Sequence, residues 1–281
     1  MIHLVTPFFL AFIVLFIILL YKKRPSVWDG HDKSYPRPRI LNMVLFSHGD
    51  SYDEMYNLSR QYYRSFDNVR TVYYTFSGDV NDTSKPYVES DILYLPGEET
   101  YMPGILSKTL KTFSYFYDTQ YDYYVRTNIS TIVNFNLLSK ALQYHKIEYG
   151  GGRNFYIYQG YRDSGCGVTD DTHVGLSYAA GTCIVLSRDM FRKVVENQSR
   201  LDMNVIDDVA IGKMIKDAFN VESFDLNVNY KHYKETYESY DEMVEYIPYT
   251  ICYRNRSNDR KTDVINMRAI VGMLMSSNSN E

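Results

Sequence analysis

The chain has 281 residues, 45% of them hydrophobic, and a formal net charge of −4 with no long basic run beyond the first forty positions. That balance suits a globular domain with a sizeable core and excludes the electrostatic footprint of a polyanion binder, so no nucleic acid is expected as a partner. Three cysteines, Cys166, Cys183 and Cys252, lack any C-x-x-C spacing and permit at most one intrachain disulfide.

From Ile2 to Tyr21 the chain is apolar apart from His3, Thr6 and Pro7. About 20 residues at ~1.5 Å each cross a hydrocarbon core of ~30 Å. A cleaved signal peptide would begin basic, carry a shorter core and end in small residues. This run has no Lys or Arg before it and ends in Tyr21-Lys22-Lys23-Arg24, which predicts an uncleaved single-pass membrane anchor over residues 1–21. Pro25, Pro36 and Pro38 among polar residues predict a stem over 22–39. Residues 40–281 then form one domain with no internal boundary.

Ile40 to Phe46 is a short β-branched and aromatic run closed by Ser47-His48-Gly49-Asp50, as a buried strand entering a loop would be. Met55, Leu58, Tyr62 and Phe66 then recur at helical spacing between Tyr52 and Phe66. Val69 to Phe76 and Asp91 to Leu95 predict two more strands, and Gly104 to Tyr117 a helix. Tyr121 to Arg126 predicts a strand and Asn134 to His145 a helix. Gly150-Gly151-Gly152 has no Gly-Lys-Ser/Thr ending, so it is not a phosphate loop, and is expected to be a flexible turn before a strand from Phe155 to Gln159. Ser177 to Leu186 predicts one strand, with helices from Ser187 to Leu201, Asp207 to Phe219 and Thr262 to Met275. Strands alternating with helices predict an α/β fold with a mostly parallel sheet covered on both faces, and ligands in such folds bind beyond the carboxyl ends of the strands.

Four segments, in order, resemble the β-1,3-galactosyltransferase and fringe family of glycosyltransferases. The first is Glu89-Ser90-Asp91-Ile92-Leu93 with Tyr101 and the run Leu106 to Thr112 (LSKTLKT), similar to the family's "GDI…D.Y.NLTLKT". The second runs from Tyr121 to Asn134 where the family has "A.YVLKTDDDVFVN". The third, Tyr178 to Asp189 (YAAGTCIVLSRD), is similar to "YCSGTGYVLSRD". The fourth, Asp207-Asp208-Val209-Ala210-Ile211-Gly212, is similar to "EDVYVG". The resemblance covers about residues 87–221.

It implies a GT-A-like, Rossmann-like fold, a nucleotide-sugar donor, a glycan acceptor and inverting transfer of a hexose-type sugar. Asp208 matches the catalytic base, a role suited to a carboxylate because the acceptor hydroxyl must lose its proton as it attacks. Donor binding falls to Asp91, Lys108, Arg126, Asn128, Ser130, Gly181, Thr182 and Asp207. His48 and Asp50 join them because they follow the first strand, where a base or ribose sits in that fold. The family's DxD carboxylates hold Mn2+ or Mg2+. Here Asn128, Ile129 and Ser130 bring no charge, so a metal held by Asn128 would be weakly bound. Arg126, Arg254 or Arg260 could neutralise the diphosphate instead.

Plain structural readings stand beside these. Asp207 and Asp208 also suit a helix N-terminus, each arginine a solvated surface, and Gly181 a turn. His173 and His232, as single histidines, are expected to be ordinary packed or surface residues. The alternative function is a membrane-anchored binding protein of the same fold that has lost its metal site. Orientation is left with two expectations. The family resemblance and five N-x-S/T sequons, at Asn57, Asn81, Asn128, Asn197 and Asn255, suit a Golgi-type lumen. Lys22, Lys23 and Arg24, C-terminal to the apolar run, turn the domain to the cytosol.

Overall fold

The computed structural model describes residues 36–78, 85–226, 230–233 and 249–278. The chain divides between Pro36 and Arg37, and the strands and helices among the described residues belong to the unit that begins at Arg37. The predicted anchor lies outside the described residues, as does most of the stem; among the described residues no helix is long and apolar enough to cross a membrane.

Strand β1 (Ile40–Leu45) is followed by α1 (Asp50–Tyr63), β2 (Val69–Phe76), the short β3 (Tyr87–Glu89), β4 (Ile92–Leu95) and α2 (Gly104–Tyr115). Next come β5 (Tyr123–Asn128), β6 (Thr131–Val133), α3 (Phe135–His145), β7 (Tyr149–Gly151), β8 (Asn154–Tyr156), β9 (Ser177–Ala179) and β10 (Cys183–Ser187). The chain continues through α4 (Arg188–Glu196), α5 (Asp207–Phe219), β11 (Phe224–Asp225), β12 (Tyr230–Tyr233), β13 (Cys252–Asn255) and α6 (Arg260–Asn278).

Eight strands form the central sheet in the order β11-β7-β10-β5-β1-β2-β4-β3. Strands β1, β2, β4 and β5 are mutually parallel, while β10 enters antiparallel between β5 and β7. This is the mostly parallel α/β sheet expected from the alternation of elements. The order reverses at β1, because the chain moves from β1 outward to β2 and β4 and then returns to β5 on the other side. A crevice opens at such a reversal, at the carboxyl ends of the strands.

Side-chain alternation assigns the two faces. Leu41, Met43, Tyr74, Leu93 and Tyr124 pack toward α2, α4 and α5, with the Tyr124 ring stacked 3.7 Å from Phe191 of α4. The other face is covered by α1 and α6, which pack together, and by α3, whose Phe135 meets Tyr63 of α1 edge-on at 5.3 Å. Much of the tyrosine excess is consumed here. Tyr63, Tyr73, Tyr74 and Tyr149 are buried with their hydroxyls bonded to Val133 N–H, Ser59, Thr109 and Ala179 N–H, as a large apolar ring with one polar tip requires.

Several predicted boundaries move. The span Ser177 to Leu186 is two strands, β9 and β10, broken at 180–182. Ser187 to Leu201 is α4 plus a 3-10 turn, Gln198–Arg200, and Ser187 caps the helix by accepting from Met190 N–H. The three glycines form no flexible turn: Gly150 and Gly151 lie in β7, and all three are buried. A Cβ on Gly151 would stand 2.6 Å from Ala179 Cβ, and one on Gly152 2.6 Å from Cys252 Sγ. These glycines let β7, β9, β10 and β13 approach closely. Cys252–Asn255 is a strand pairing antiparallel with β6 and parallel with β12, so Arg254 lies in regular structure.

Candidate functional site

Asp207 and Asp208 open α5, where two acids stabilise the N-terminal end of the helix dipole. Their side chains part. Asp207 is 1% exposed and pairs with Arg126 at 2.6 Å, its Oδ2 also accepting from Thr109 at 3.2 Å. Asp208 is half-buried, its Oδ2 accepting from Gly181 N–H at 2.7 Å and its Oδ1 from Val209 N–H at 2.9 Å. Loss of water, then the charge of Asp207, push the Asp208 carboxyl up to about 6, against the pull of Gly181 N–H and Arg126. A carboxylate so tuned can take a proton near neutral pH.

Gly181 sits between these partners. Its carbonyl accepts from Arg126, and a Cβ there would lie 3.0 Å from Arg126 Nη1 and 3.2 Å from Asp208 Oδ2. Only a residue without a side chain fits without displacing one of them. The break at 180–182 that divides β9 from β10 is what brings this backbone to Asp208. Thr182 beside it has a buried hydroxyl with no hydrogen-bond partner among the described residues.

The DxD positions follow β5 directly. Arg126 donates to Asn128 Oδ1 at 2.7 Å, and Arg254 of β13 donates to Ser130 Oγ at 2.6 Å. Ile129 between them is buried. A divalent metal does not fit this set, because the two side-chain oxygens are neutral and face guanidinium groups. Among the described residues no group of three or more His, Cys, Asp or Glu could hold a metal ion. Asn128 is therefore corrected from weak ligand to acceptor of Arg126.

The remaining candidates are distributed around the strand ends, with one exception. Lys108 of α2 is 1% exposed, and its Nζ donates to Phe46 O at 2.9 Å and to Glu99 at 2.6 Å. Burial lowers its pKa against the pull of Glu99. His48 and Asp50 are exposed beyond β1, with His48 Nδ1 3.2 Å from Asp53 and its ring stacked 6.1 Å from Tyr94. Arg260, at the start of α6, pairs with Asp263 at 2.7 Å and lies over the Tyr52 ring. Asp91 is the exception. It stands at the amino end of β4, bound by Arg60 at 2.6 Å and by the Tyr56 hydroxyl. Ile92 beside it pairs with Tyr73, which pairs with Val44 near the carboxyl end of β1, and the carboxylate is committed to fastening α1 to β4. His173 is buried with neither ring nitrogen hydrogen-bonded among the described residues, and the His232 side chain lies outside them.

Other groups near Asp208 come from both inside and outside the four segments. The 3-10 turn Ser164–Cys166 is capped by Asp163, and Cys166 O accepts from Ile206 N–H at 3.0 Å, docking the turn two residues before Asp208. Burial, then the hydrogen bond to Asp163, push the Cys166 thiol up to about 12. Tyr178 is raised by burial and then by the charge of Asp208; Tyr101 is raised by burial, with Cys166 and Asp208 next. Arg256 lies within electrostatic reach of Tyr101 and Cys166. The only sequence signal for this turn is the punctuation of Asp163-Ser164-Gly165-Cys166-Gly167, which marks a loop without saying what it faces.

No protein-family model matches the chain, and comparison with curated protein sequences finds no match. Among solved structures, the inositol-1-phosphate CTP transferase from T. maritima is similar over 84% of this chain and 97% of its own, with 10% identity and a TM-score of 0.44.

Proposed function

We propose that the chain is a glycosyltransferase that moves a hexose-type sugar from a nucleotide-sugar donor to a glycan hydroxyl with inversion. The observation that carries the reading is the position of Asp208, a half-buried carboxylate at the residue matching the resembled family's base, held by Gly181 N–H beyond the carboxyl end of β5, with its pKa raised by loss of water. In the transfer, the acceptor oxygen bonds to the anomeric carbon while its proton passes to Asp208 and the bond from that carbon to the diphosphate oxygen breaks. Each carboxylate oxygen has two acceptor sites, so both backbone bonds to Asp208 can persist as the proton arrives.

The donor side of the reading draws on the crevice at the β1 and β5 carboxyl ends. The reading assigns donor contacts to His48 and Asp50, which follow β1, and to Ser130, Arg254 and Arg260. Arg126, 2% exposed and matched by Asp207, organises the site rather than meeting the ligand. Asp91 has no part in this reading. Incubation with a panel of nucleotide sugars and a glycan acceptor array tests the proposal, with product anomeric configuration read by NMR. Transfer with inversion is expected from at least one donor. Retention of configuration, or no transfer from any donor, would contradict it.

A further inference from the structure

We infer that Cys183 and Cys252 form a disulfide that fastens β10 to β13 when the chain folds in an oxidising environment. Neither thiol has a part in the candidate site.

Three observations converge. First, the two side chains meet in the core. Both cysteines are 0% exposed, and their thiols lie within hydrogen-bonding reach of each other. Both β-carbons stand within 3.3 Å of the point that a Gly152 Cβ would occupy, and Cys252 Sγ is 2.6 Å from it. Gly152 thus leaves the space in which the pair meets, and a disulfide needs such closeness, with β-carbons ~3.5–4.5 Å apart. Second, the residues belong to different sheets. Cys183 opens β10 and pairs with Thr127 of β5, whereas Cys252 opens β13 and pairs with Val133 of β6. A bond between them joins the eight-stranded sheet to the three-stranded one. The ring it closes contains α4 and α5, and with them Asp207 and Asp208. Closing so long a ring removes freedom from the unfolded chain and stabilises the folded one. Third, the remaining cysteine is held elsewhere. Cys166 is half-buried with its thiol bonded to Asp163, so once its turn has formed it supplies little thiolate to compete.

The oxidant is a small-molecule disulfide of the oxidised-glutathione kind, available where disulfides persist. The thiolate of one cysteine attacks a glutathione sulfur, the glutathione S–S bond breaks, and one glutathione leaves. The second cysteine attacks the protein sulfur of that mixed disulfide, which forms the protein S–S bond and releases the other glutathione. The two protein thiols are oxidised, the glutathione disulfide is reduced, and the two thiol protons pass to the released glutathiones. In the finished fold the Cys252 thiol is pushed up by its hydrogen bond with Cys183 and by burial. Exchange therefore belongs to the stage at which the strands are still coming together.

The test refolds the purified full chain from denaturant in a glutathione redox buffer and, in parallel, in excess dithiothreitol. Free thiols are then alkylated, and the unreduced digest is mapped by mass spectrometry. The glutathione sample should contain a Cys183–Cys252 linked peptide pair, be lighter by two hydrogens, and carry the alkyl label on Cys166. It should melt ~5 °C or more above the reduced sample. Cys183→Ala and Cys252→Ala should each melt at the same temperature in both buffers. The same mapping on chain secreted into an oxidising compartment gives a second reading that does not depend on refolding. Free Cys183 and Cys252 in natively folded protein from the oxidising samples would overturn the inference. So would a bond to Cys166, a lasting glutathione adduct on either residue, or equal melting of the oxidised and reduced wild type.

Discussion

Asp207 and Asp208 are neighbours of one residue type whose environments drive them apart. Asp207 is sealed against Arg126, and removing one partner of a buried ion pair leaves the other uncompensated. Asp207→Asn is therefore expected to cost ~3–5 kcal/mol in denaturant unfolding, whereas Asp208→Asn keeps an oxygen for Gly181 N–H and is expected to fold normally. The titration of Asp208 gives two further expectations. A carboxyl whose folded pKa is raised from 3.8 to about 6 holds its proton more tightly when folded, so wild-type stability falls as pH rises through that window. The stability of Asp208→Asn relative to wild type should therefore rise as pH rises from ~4 to ~6 and be constant outside that window. Activity runs the opposite way, because the base works ionised: kcat/KM should fall tenfold per pH unit below about 6. Gly181→Ala should lower kcat by crowding Asp208 and Arg126, with the circular dichroism spectrum unchanged.

At the scale of elements, the sequence is most legible where one period runs unbroken. The β-branched run of β1, the strand β2, and α5 with its acidic opening are found where pattern and capping place them. It is least legible where tertiary contact overrides local preference. Three consecutive glycines read as a turn, yet two of them lie in a strand, and neighbouring strands leave no room for a Cβ on any of the three. Arg254 reads as part of a charged loop, yet it lies in a strand whose partner, β6, is too short to announce itself. The site shows the same division. Asp208, Gly181 and Ser130 stand in segments with recognisable spacing, while Asp163 and Cys166 reach Asp208 only through folding of the chain. Asp91 also stands in a recognisable segment, but spacing does not show that Arg60 and Tyr56 occupy its carboxylate. One long-range tie offers a direct test. The Tyr63 hydroxyl donates to Thr131 O and accepts from Val133 N–H, both at 3.1 Å, fastening α1 to β6. Tyr63→Phe leaves that buried N–H without its acceptor and should cost ~1–3 kcal/mol in chemical denaturation.

For the molecule as a whole, the reversal of strand order at β1 explains why residues from opposite ends of the chain meet. It brings the turns after β1 and β5, the start of α5 and the strand β13 to one edge of the sheet. The proposed membrane anchor over residues 1–21 belongs to this scale too. An anchored chain should stay with membranes through carbonate extraction, and one lacking residues 2–21 should be released. Protease protection on intact membranes then separates a luminal from a cytosolic domain. The central claim remains that a nucleotide-sugar donor reacts beside Asp208. Its most direct measurement compares wild type with Asp208→Asn for both donor affinity and rate of sugar transfer. Transfer should fall by a factor of ~100 or more, the order of a general base, with donor affinity nearly unchanged; transfer at the wild-type rate by Asp208→Asn would contradict the claim.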